Sequence, residues 1–291
     1  MHNQKTPSIK KGILYVVATP IGNLKDITLR AVDILRSVDL IAAEDTRHSA
    51  HLLKHYAITT KCLAYHEHNE QSAATKLLQR LEEGESIALI SDAGTPGISD
   101  PGTILVSKAR AAGYRVEPIP GPNAAIAALS AAGAAIPHFL FYGFLPPKGE
   151  ARRRALGTLS TLPYWLVFYE SPHRIKPCLA DLATVLGGQR PIAIARELTK
   201  TFEDFHTTSL DEAIIWIEAD SHRQKGEFVL LVAGKEETPD TGESESTRRL
   251  LGILCQELPT KQAARLAAEI TGEKKNALYQ IALQLKSTGP C

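Results

Sequence analysis

The sequence is poor in the residues and runs that mark secreted, metal-binding and membrane proteins. Its 291 residues include four cysteines, at positions 62, 178, 255 and 291, and no two of them form a CxxC pair. Scattered cysteines predict reduced thiols rather than disulfides or zinc ligands. No apolar run reaches the ~18–20 residues that span a bilayer, and the polar stretch 1–11 lacks the apolar core of a secretory signal. We therefore expect a cytoplasmic protein with no membrane contact.

A dominant charge of one sign is also absent, since 33 basic and 32 acidic residues leave a net charge of +1. Local patches are more informative. Residues 148–154 carry four cations against one acid, residues 248–291 carry seven against three, and residues 236–247 carry five acids and no base. Basic patches of this kind can contact phosphates, although a solvated face is the plain alternative for each.

Metal-binding spacing is missing as well. His66 and His68 flank Glu67, but no partner motif follows them. An i, i+2 pair of this kind more often ends a strand or lies in a loop than binds a metal. We therefore predict no metal site.

Strand-like apolar runs alternate with helical patterns along most of the chain, which is typical of βαβ units. The pattern restarts after residue 137, so the sequence predicts an α/β fold with two α/β domains, 13–137 and 138–235, built on parallel strands. An N-terminal tail (1–12) and an acidic linker (236–247) flank them. The last region, 248–291, predicts a small helical domain that resembles a helix-turn-helix, although a simple helical cap fits equally well.

One loop is unusual for its density of Gly and Pro. It follows a predicted strand at 86–91 and runs from Asp92 to Gly102, with three Gly and two Pro within residues 94–102. Such a loop lets a ligand approach the backbone while fixing its course. It has neither Walker nor GxGxxG spacing, so a different cofactor is expected. Asp100 is the predicted N-cap of a helix at 101–112.

Further polar or Gly/Pro motifs also follow predicted strands, at 19–23, 44–47, 121–123, 170–174 and 196–200. The carboxyl ends of parallel strands share one edge of a sheet, where ligands bind in open α/β folds. We therefore predict that these motifs line one cleft between the two domains.

These motifs resemble those of the tetrapyrrole-methylase-like (class III) S-adenosylmethionine methyltransferases. The resemblance covers about residues 12–285 and rests on the motifs 19–24, 43–47, 91–102, 121–124 and 168–174. The loop string Asp-Ala-Gly-Thr-Pro-Gly-Ile-Ser-Asp-Pro-Gly is similar to the branch that methylates a cytidine ribose in bacterial 16S rRNA. The resemblance implies S-adenosylmethionine bound between two α/β domains, a homodimer, and 2′-O-methylation of a decoding-centre cytidine in the small ribosomal subunit.

The resemblance also implies which residues contact the cofactor. They come from the first strand end, the Gly/Pro loop, the helix after 121–123 and the second domain: Pro20, Gly94, Thr95, Pro96, Ile98, Ala124, Ala125, Phe168 and Tyr169.

Methyl transfer to a ribose hydroxyl is an in-line displacement, in which the protein aligns the acceptor oxygen and assists the loss of its proton. Charged side chains at the strand ends are the candidates for this catalytic assistance: Asp45, Arg47, Glu170, Arg196 and Lys200. Each of them could instead form an ion pair that shapes the cleft wall.

For the rRNA, we predict phosphate contacts from the basic patch and cleft contacts from the 170–174 motif. The residues are Lys148, Arg152, Arg153, Arg154, His173 and Arg174, and Arg47 is expected to line the cleft with them.

Alternative functions exist on the same fold. A methylase of a small tetrapyrrole, a corrinoid or porphyrin precursor, would need neither the basic patch nor the helical tail. A non-catalytic RNA-binding or assembly factor would be expected to have an eroded Gly/Pro loop, whereas residues 94–102 are intact. An NAD- or nucleotide-dependent enzyme is disfavoured by the missing glycine fingerprints.

Overall fold

The computed structural model describes residues 12–133, 137–236 and 245–287. The chain separates into two compact units, Met1–Lys235 and Glu236–Cys291. The predicted tail (1–12) and acidic linker (236–247) lie largely outside the described residues, and the boundary at residue 137 stays a prediction. Within the described part of the chain, no helix has the length and apolar character needed to cross a membrane.

The first half of the larger unit is built on a five-stranded sheet in the order β3-β2-β4-β1-β5, and every strand pair is parallel. Its elements, in chain order, are β1 (Ile13–Val17), α1 (Leu29–Ser37), β2 (Leu40–Ala43), α2 (Thr46–His55), β3 (Cys62–Ala64), α3 (Glu70–Glu82), β4 (Ile87–Ile90), α4 (Thr103–Ala111), β5 (Arg115–Ile119) and α5 (Ala124–Ala131). Strands β2 and β4 are buried throughout, as in a parallel sheet with both faces covered. The predicted parallel sheet is confirmed.

The start of α4 differs from the prediction. The helix begins at Thr103, with Gly102 at the N-cap at a φ of 141° and no side chain capping it. The expected N-cap, Asp100, lies two residues before that position. Gly is required at 102 because a Cβ there would lie 2.9 Å from Leu89 Cδ2. The carboxylate of Asp100 is therefore free for another role.

The second half carries a mixed sheet, in the order β6-β7-β10-β8-β9. Its elements are β6 (Phe139–Phe144), α6 (Gly149–Leu159), β7 (Trp165–Glu170), α7 (Ile175–Leu186), β8 (Pro191–Arg196), β9 (Asp204–Ser209), α8 (Leu210–Glu218) and β10 (Phe228–Val232). Only β6 and β7 pair in parallel, and the other three pairs are antiparallel. The expectation of a second parallel sheet is therefore wrong, and β9 was not predicted.

The mixed sheet still brings the predicted motifs together. Strand β10 lies between β7 and β8 and runs antiparallel to both, so β7 and β8 point the same way. Phe228, at the start of β10, is opposite Glu170 at the end of β7 and Arg196 at the end of β8. The motifs after β7 and β8 and the segment before β10 therefore share one edge.

Helix α5 joins the two halves through a layer of small side chains. Ala125 and Ala128 pack with Val167, Ala193 and Leu231 in one buried cluster. The opposite face of the second sheet forms its own core with α6, α7 and α8. Because alanine allows close approach, α5 lies directly on the second sheet and carries the 121–123 motif with it.

The smaller unit is a three-helix domain of α9 (Glu245–Glu257), α10 (Thr260–Thr271) and α11 (Lys275–Ser287). Its core includes Leu251, Ala264, Ala267 and Leu278. Helix α10 ends at Gly272, whose φ of 75° is left-handed and whose N–H bonds to the carbonyl of Ala268. The predicted helical domain and its turn are confirmed.

Candidate active site

A cavity of about 290 Å³ lies where the carboxyl edge of the first sheet meets the second sheet. We call it the Tyr169 cavity. Predicted cofactor residues from both halves line it: Gly94, Thr95, Ile98, Ala124 and Tyr169. Most of its remaining wall is apolar, from residues such as Leu198, Phe228 and Val229, and the acidic residues Asp100, Glu170 and Glu227 also line it. The side chain of Glu170 is fully buried against Arg174. A cavity of this size and lining is typical of small-molecule sites.

The Gly/Pro loop is fixed to the end of β1 by two backbone hydrogen bonds. Thr19 N–H donates to Gly94 O at 2.8 Å, and Gly94 N–H donates to Thr19 O at 3.0 Å. Gly94 has a φ of 77°, and a Cβ there would point towards Ile21, another cavity residue. The loop therefore presents bare backbone to the cavity at a conformation that glycine adopts readily.

The opposite wall is fixed by Tyr169. Its hydroxyl accepts a hydrogen bond from the backbone N–H of Ala125 at 3.2 Å, which ties β7 to the start of α5. Asn123 caps that helix, with its side-chain oxygen accepting from the N–H of Ile126. Both the aromatic wall and the helix N-terminus are therefore held in place around the cavity.

A second pocket, of about 580 Å³, adjoins the first, and we call it the Lys200 pocket. The two share Ile21, Ala93 and Glu227 as lining residues. Four basic or imidazole side chains line the Lys200 pocket: Arg47, His48, His51 and Lys200. A mostly apolar cavity therefore opens beside a pocket suited to an anionic ligand.

Comparison with known proteins agrees with this arrangement. A family model described as tetrapyrrole (corrin/porphyrin) methylases matches residues 13–214, and one described as RsmI C-terminal HTH domain matches residues 241–286. The chain is 54% identical to the ribosomal RNA small subunit methyltransferase I of Pseudomonas aeruginosa, over 94% of this chain and 97% of that protein. It is 51% identical to the protein of that name from Escherichia coli O157:H7, over 98% of this chain and 99% of that protein.

The chain belongs to the ribosomal RNA small subunit methyltransferase I family. Its larger unit has the tetrapyrrole methylase fold. The solved structure of the methyltransferase CobJ, for example, matches 77% of this chain and 95% of its own, with a TM-score of 0.59 at 21% identity. The family expected from the sequence motifs is confirmed.

Four of the predicted cofactor residues do not line the Tyr169 cavity. Pro20 lines the Lys200 pocket instead. The side chain of Phe168 is fully buried in the core on the other face of the second sheet, because neighbouring residues on a strand alternate sides. Pro96 is buried in the loop and does not line either cavity. Ala125 is buried, and its N–H is taken by Tyr169.

The predicted catalytic residues divide between the pocket and structural contacts. Arg47 and Lys200 line the Lys200 pocket. Asp45 caps α2 and pairs with Arg47 at 2.9 Å, and its hydrogen bonds with Arg47 lower its pKa to about 2. A carboxylate held in this way is a poor proton acceptor, so the structure disfavours Asp45 as a base.

Glu170 and Arg196 support loops. Glu170 is buried and accepts hydrogen bonds from the backbone of Ser171 at 2.8 Å and from Arg174 at 3.2 Å. Arg196 donates to the carbonyls of His222 and Lys225, and it lines neither cavity. The ion pair of Glu170 with Arg174 fits the alternative that the sequence left open, whereas Arg196 holds the turn at 222–225.

The basic patch is partly buried. Arg152 is 4% exposed, and its guanidinium bonds to Asp181 at 2.7 Å and to the carbonyls of Pro147 and Pro177. Asp181 holds Arg152 between α6 and α7, so the structure disfavours the predicted phosphate contact of Arg152. Lys148, Arg153 and Arg154 are exposed, as is His173. Arg174 bonds to Glu170 and Leu145 and, like His173, lines neither cavity.

Several residues of the site were not predicted. Asp100 lies in the Tyr169 cavity, where burial and the nearby carboxylates of Glu44 and Asp92 raise its pKa to about 7, against a hydrogen bond from Ser91 that lowers it. His51 lies four residues after Arg47 on α2, so the helix face that carries Arg47 was the available signal for it. His48 follows Arg47 directly and had no such signal. Glu227 directly precedes β10 and belongs to none of the sequence motifs, so no sequence signal marked it.

Proposed function

We propose that the chain transfers a methyl group from S-adenosylmethionine to the ribose 2′-hydroxyl of a decoding-centre cytidine in 16S rRNA, in the cytoplasm. The observation that carries the proposal is the pair of adjoining cavities with shared walls at Ile21, Ala93 and Glu227. In-line transfer requires the acceptor oxygen to approach the methyl carbon from the side opposite the leaving sulfur. The donor site and the acceptor site must therefore adjoin. The family and the arrangement of cavities both support this reaction.

The residues of the Tyr169 cavity fit S-adenosylmethionine. The bare backbone at Gly94 and the apolar walls suit a nucleoside, and the carboxyl group of Asp100 offers a polar contact to it. When bound, this cofactor supplies a methyl group on a sulfonium sulfur, which keeps the electron pair when the carbon–sulfur bond breaks. Gly94, Thr95, Ala124 and Tyr169 would hold it.

The Lys200 pocket would receive the acceptor nucleotide. Arg47 and Lys200 are cations, and both suit the phosphate and the ribose oxygen of an RNA strand. A ribose hydroxyl is a weak acid, so a cation beside the oxygen assists its reaction by stabilising negative charge as the proton leaves to solvent. With a cation in this role, the reaction does not need a dedicated carboxylate base at Asp45 or Glu170.

Exposed cations on α6 would extend the RNA contact. Lys148, Arg153 and Arg154 lie at the start of that helix, where Arg153 pairs with Asp181 and Arg154 with Glu150. Surface ion pairs of this kind contribute little and can exchange for phosphate contacts. We place these three residues, without Arg152, in the RNA-binding surface.

A homodimer is proposed from the edge of the second sheet. Strand β6 is an edge strand, and Phe139 and Tyr142 on it are 44% and 38% exposed, with Tyr164 before β7 at 42%. Exposed aromatic side chains beside an unpaired edge are typical of surfaces that pair with another chain. A second copy of this chain fits that surface.

The test is a map of ribose methylation on small-subunit RNA from a strain that lacks the gene. We expect the loss of one 2′-O-methyl group, at a decoding-centre cytidine, and its return when the wild-type gene is restored. A control gene carrying Gly157→Ala should restore it equally, since a Cβ at that helical position meets open space.

An unchanged methylation map would refute the proposal. Transfer of labelled methyl groups to a corrinoid precursor, but not to small subunits, would identify a small-molecule methylase instead. Calorimetry that detects no S-adenosylmethionine binding, even with RNA present, would identify a non-catalytic binding protein.

A further inference from the structure

The loop after β8 is held in an unusual backbone conformation beside both cavities. Glu197 and Thr199 have φ values of 51° and 65°, in the left-handed region that non-glycine residues seldom adopt. Leu198, between them, lines the Tyr169 cavity, and Lys200 lines the Lys200 pocket. Strained backbone persists only where surrounding contacts determine it, and such strain concentrates at functional sites.

Contacts from the chain after β1, and from Glu203 at the end of the same loop, hold this backbone. Asn23 N–H donates to the hydroxyl oxygen of Thr199 at 3.0 Å, and the Glu203 carboxylate accepts from the N–H of Thr199 at 2.6 Å. A Cβ on Gly22 would lie 2.5 Å from Lys200 Cγ, so the chain after β1 packs directly against the lysine stem. The aliphatic part of Lys200 therefore has little freedom.

The charged end of Lys200 is held by two carboxylates. Its ammonium nitrogen lies 2.8 Å from Glu197 Oε1 and 2.8 Å from Glu227 Oε2. Glu197 also accepts the backbone N–H of Glu227 at 2.9 Å, which fixes the carboxylate itself. Partial burial lowers the pKa of Lys200, but hydrogen bonds to Glu197 and Glu227 outweigh it and leave the pKa raised. Lys200 is therefore a fixed cation and not a proton acceptor.

An ammonium group carries three N–H donors, and Glu197 and Glu227 take two of them. We propose that Glu197 is a positioning residue, whose carboxylate holds the Lys200 ammonium so that its third N–H meets the acceptor ribose oxygen. This inference rests on the proposed function. Lys200 then stabilises the oxygen as it bonds to the methyl carbon and loses its proton, and Glu197 acts only through Lys200.

The principal variant is Glu197→Gln, because the amide keeps an oxygen to accept from Glu227 and removes the negative charge. Kinetics with purified small subunits should show kcat lowered about tenfold to a hundredfold, as for a misplaced catalytic group. The affinity for S-adenosylmethionine, measured by calorimetry, should stay within about twofold of wild type, since Glu197 does not line the Tyr169 cavity.

A double-mutant cycle separates positioning from a structural role. Lys200→Met should lower kcat about 10²–10³-fold, as removal of one preorganised donor does. Adding Glu197→Gln to that variant should have no further effect on kcat. Two independent, multiplying effects would overturn the proposal, and so would a change in KM alone, which would assign Lys200 to ground-state phosphate binding.

Glu203→Gln is the matched control, because it makes the same chemical change in the same loop without touching the ammonium. Its kcat should equal that of wild type, and an equal loss in both variants would show a general loop effect and overturn the proposal. Should Glu197→Gln not fold, Glu227→Gln removes the other, 74% exposed carboxylate and should lower kcat in the same direction. A wild-type protein that does not methylate small subunits would refute the proposed function, whereas an active Glu197→Gln variant would refute only this inference.

Discussion

Asp100 carries an ionisable carboxyl group into the Tyr169 cavity. Burial and the neighbouring Glu44 and Asp92 raise its pKa to about 7, so the neutral form is favoured in the folded protein. A carboxyl group with a raised pKa binds a proton in the folded state over a range where the unfolded chain has released it. The stability it contributes is therefore present below its unfolded pKa and is lost as the pH rises through about 7.

Replacement of this carboxyl should change how stability depends on pH. Asp100→Asn removes the charge that must be buried above pH 7, so the variant should gain stability relative to wild type between pH 5 and pH 8. Thermal unfolding across this range measures the difference. Gly157→Ala, which changes no titratable group, should show a constant offset. A constant offset for Asp100→Asn as well would contradict the assigned cause.

The sequence alone could not show which side chains are buried at residues 152–154 and at Asp100. Arg152, Arg153 and Arg154 follow one another in the sequence, yet only Arg152 is buried; Arg153 also pairs with Asp181 but stays half-exposed. Asp100 fits the pattern of an N-cap, but the left-handed Gly102 starts the helix later. Both differences arise from tertiary contacts that no local pattern shows, with Asp181 for Arg152 and with Leu89 for Gly102.

At the scale of elements, α6 combines a structural face with an exposed basic face. Arg152→Ala should lower the free energy of unfolding by about 1–3 kcal/mol, because Asp181 loses its buried partner and keeps only the half-exposed Arg153. Lys148→Ala with Arg154→Ala should leave stability unchanged and weaken binding to small subunits. The slope of log K for binding against log salt concentration should also become less steep, by about 0.7 for each lost phosphate contact.

Chemical denaturation and binding titrations at several salt concentrations measure the two effects. Each variant serves as the control for the other. Unchanged RNA affinity in the Lys148 and Arg154 variant would remove α6 from the proposed RNA surface. Normal stability in Arg152→Ala would contradict the structural role of its ion pair.

The order of elements was predictable because hydrophobic periodicity and turn residues are local signals. The parallel first sheet, with a helix between successive strands, follows from its βαβ pattern. Strand β9 was missed because the run 204–209 is polar and only half-buried. The direction of β10 depends on pairing with β7 and β8, which no local pattern encodes.

For the whole molecule, the exposed edge of the second sheet predicts a homodimer. Phe139→Glu combined with Tyr164→Glu should convert the protein to a monomer, because two charges would be buried against the second copy. Light scattering after size exclusion measures the mass. Ile215→Glu, at a residue 69% exposed on α8, should leave the dimer intact. A wild-type monomer would refute the homodimer. A dimer that tolerates both glutamates would show that its interface lies elsewhere.

Strand β10 has a consequence for how the protein is made. It is the last strand among the described residues, yet it lies in the middle of the second sheet and supplies Phe228 and Val229 to the Tyr169 cavity. During synthesis, β1 to β5 can assemble as soon as they emerge, because their partners are all within the first 119 residues. Strands β7 and β8 must instead wait, with a gap between them, until β10 leaves the exit tunnel. The nascent chain therefore has no complete Tyr169 cavity until more than three quarters of it has been translated.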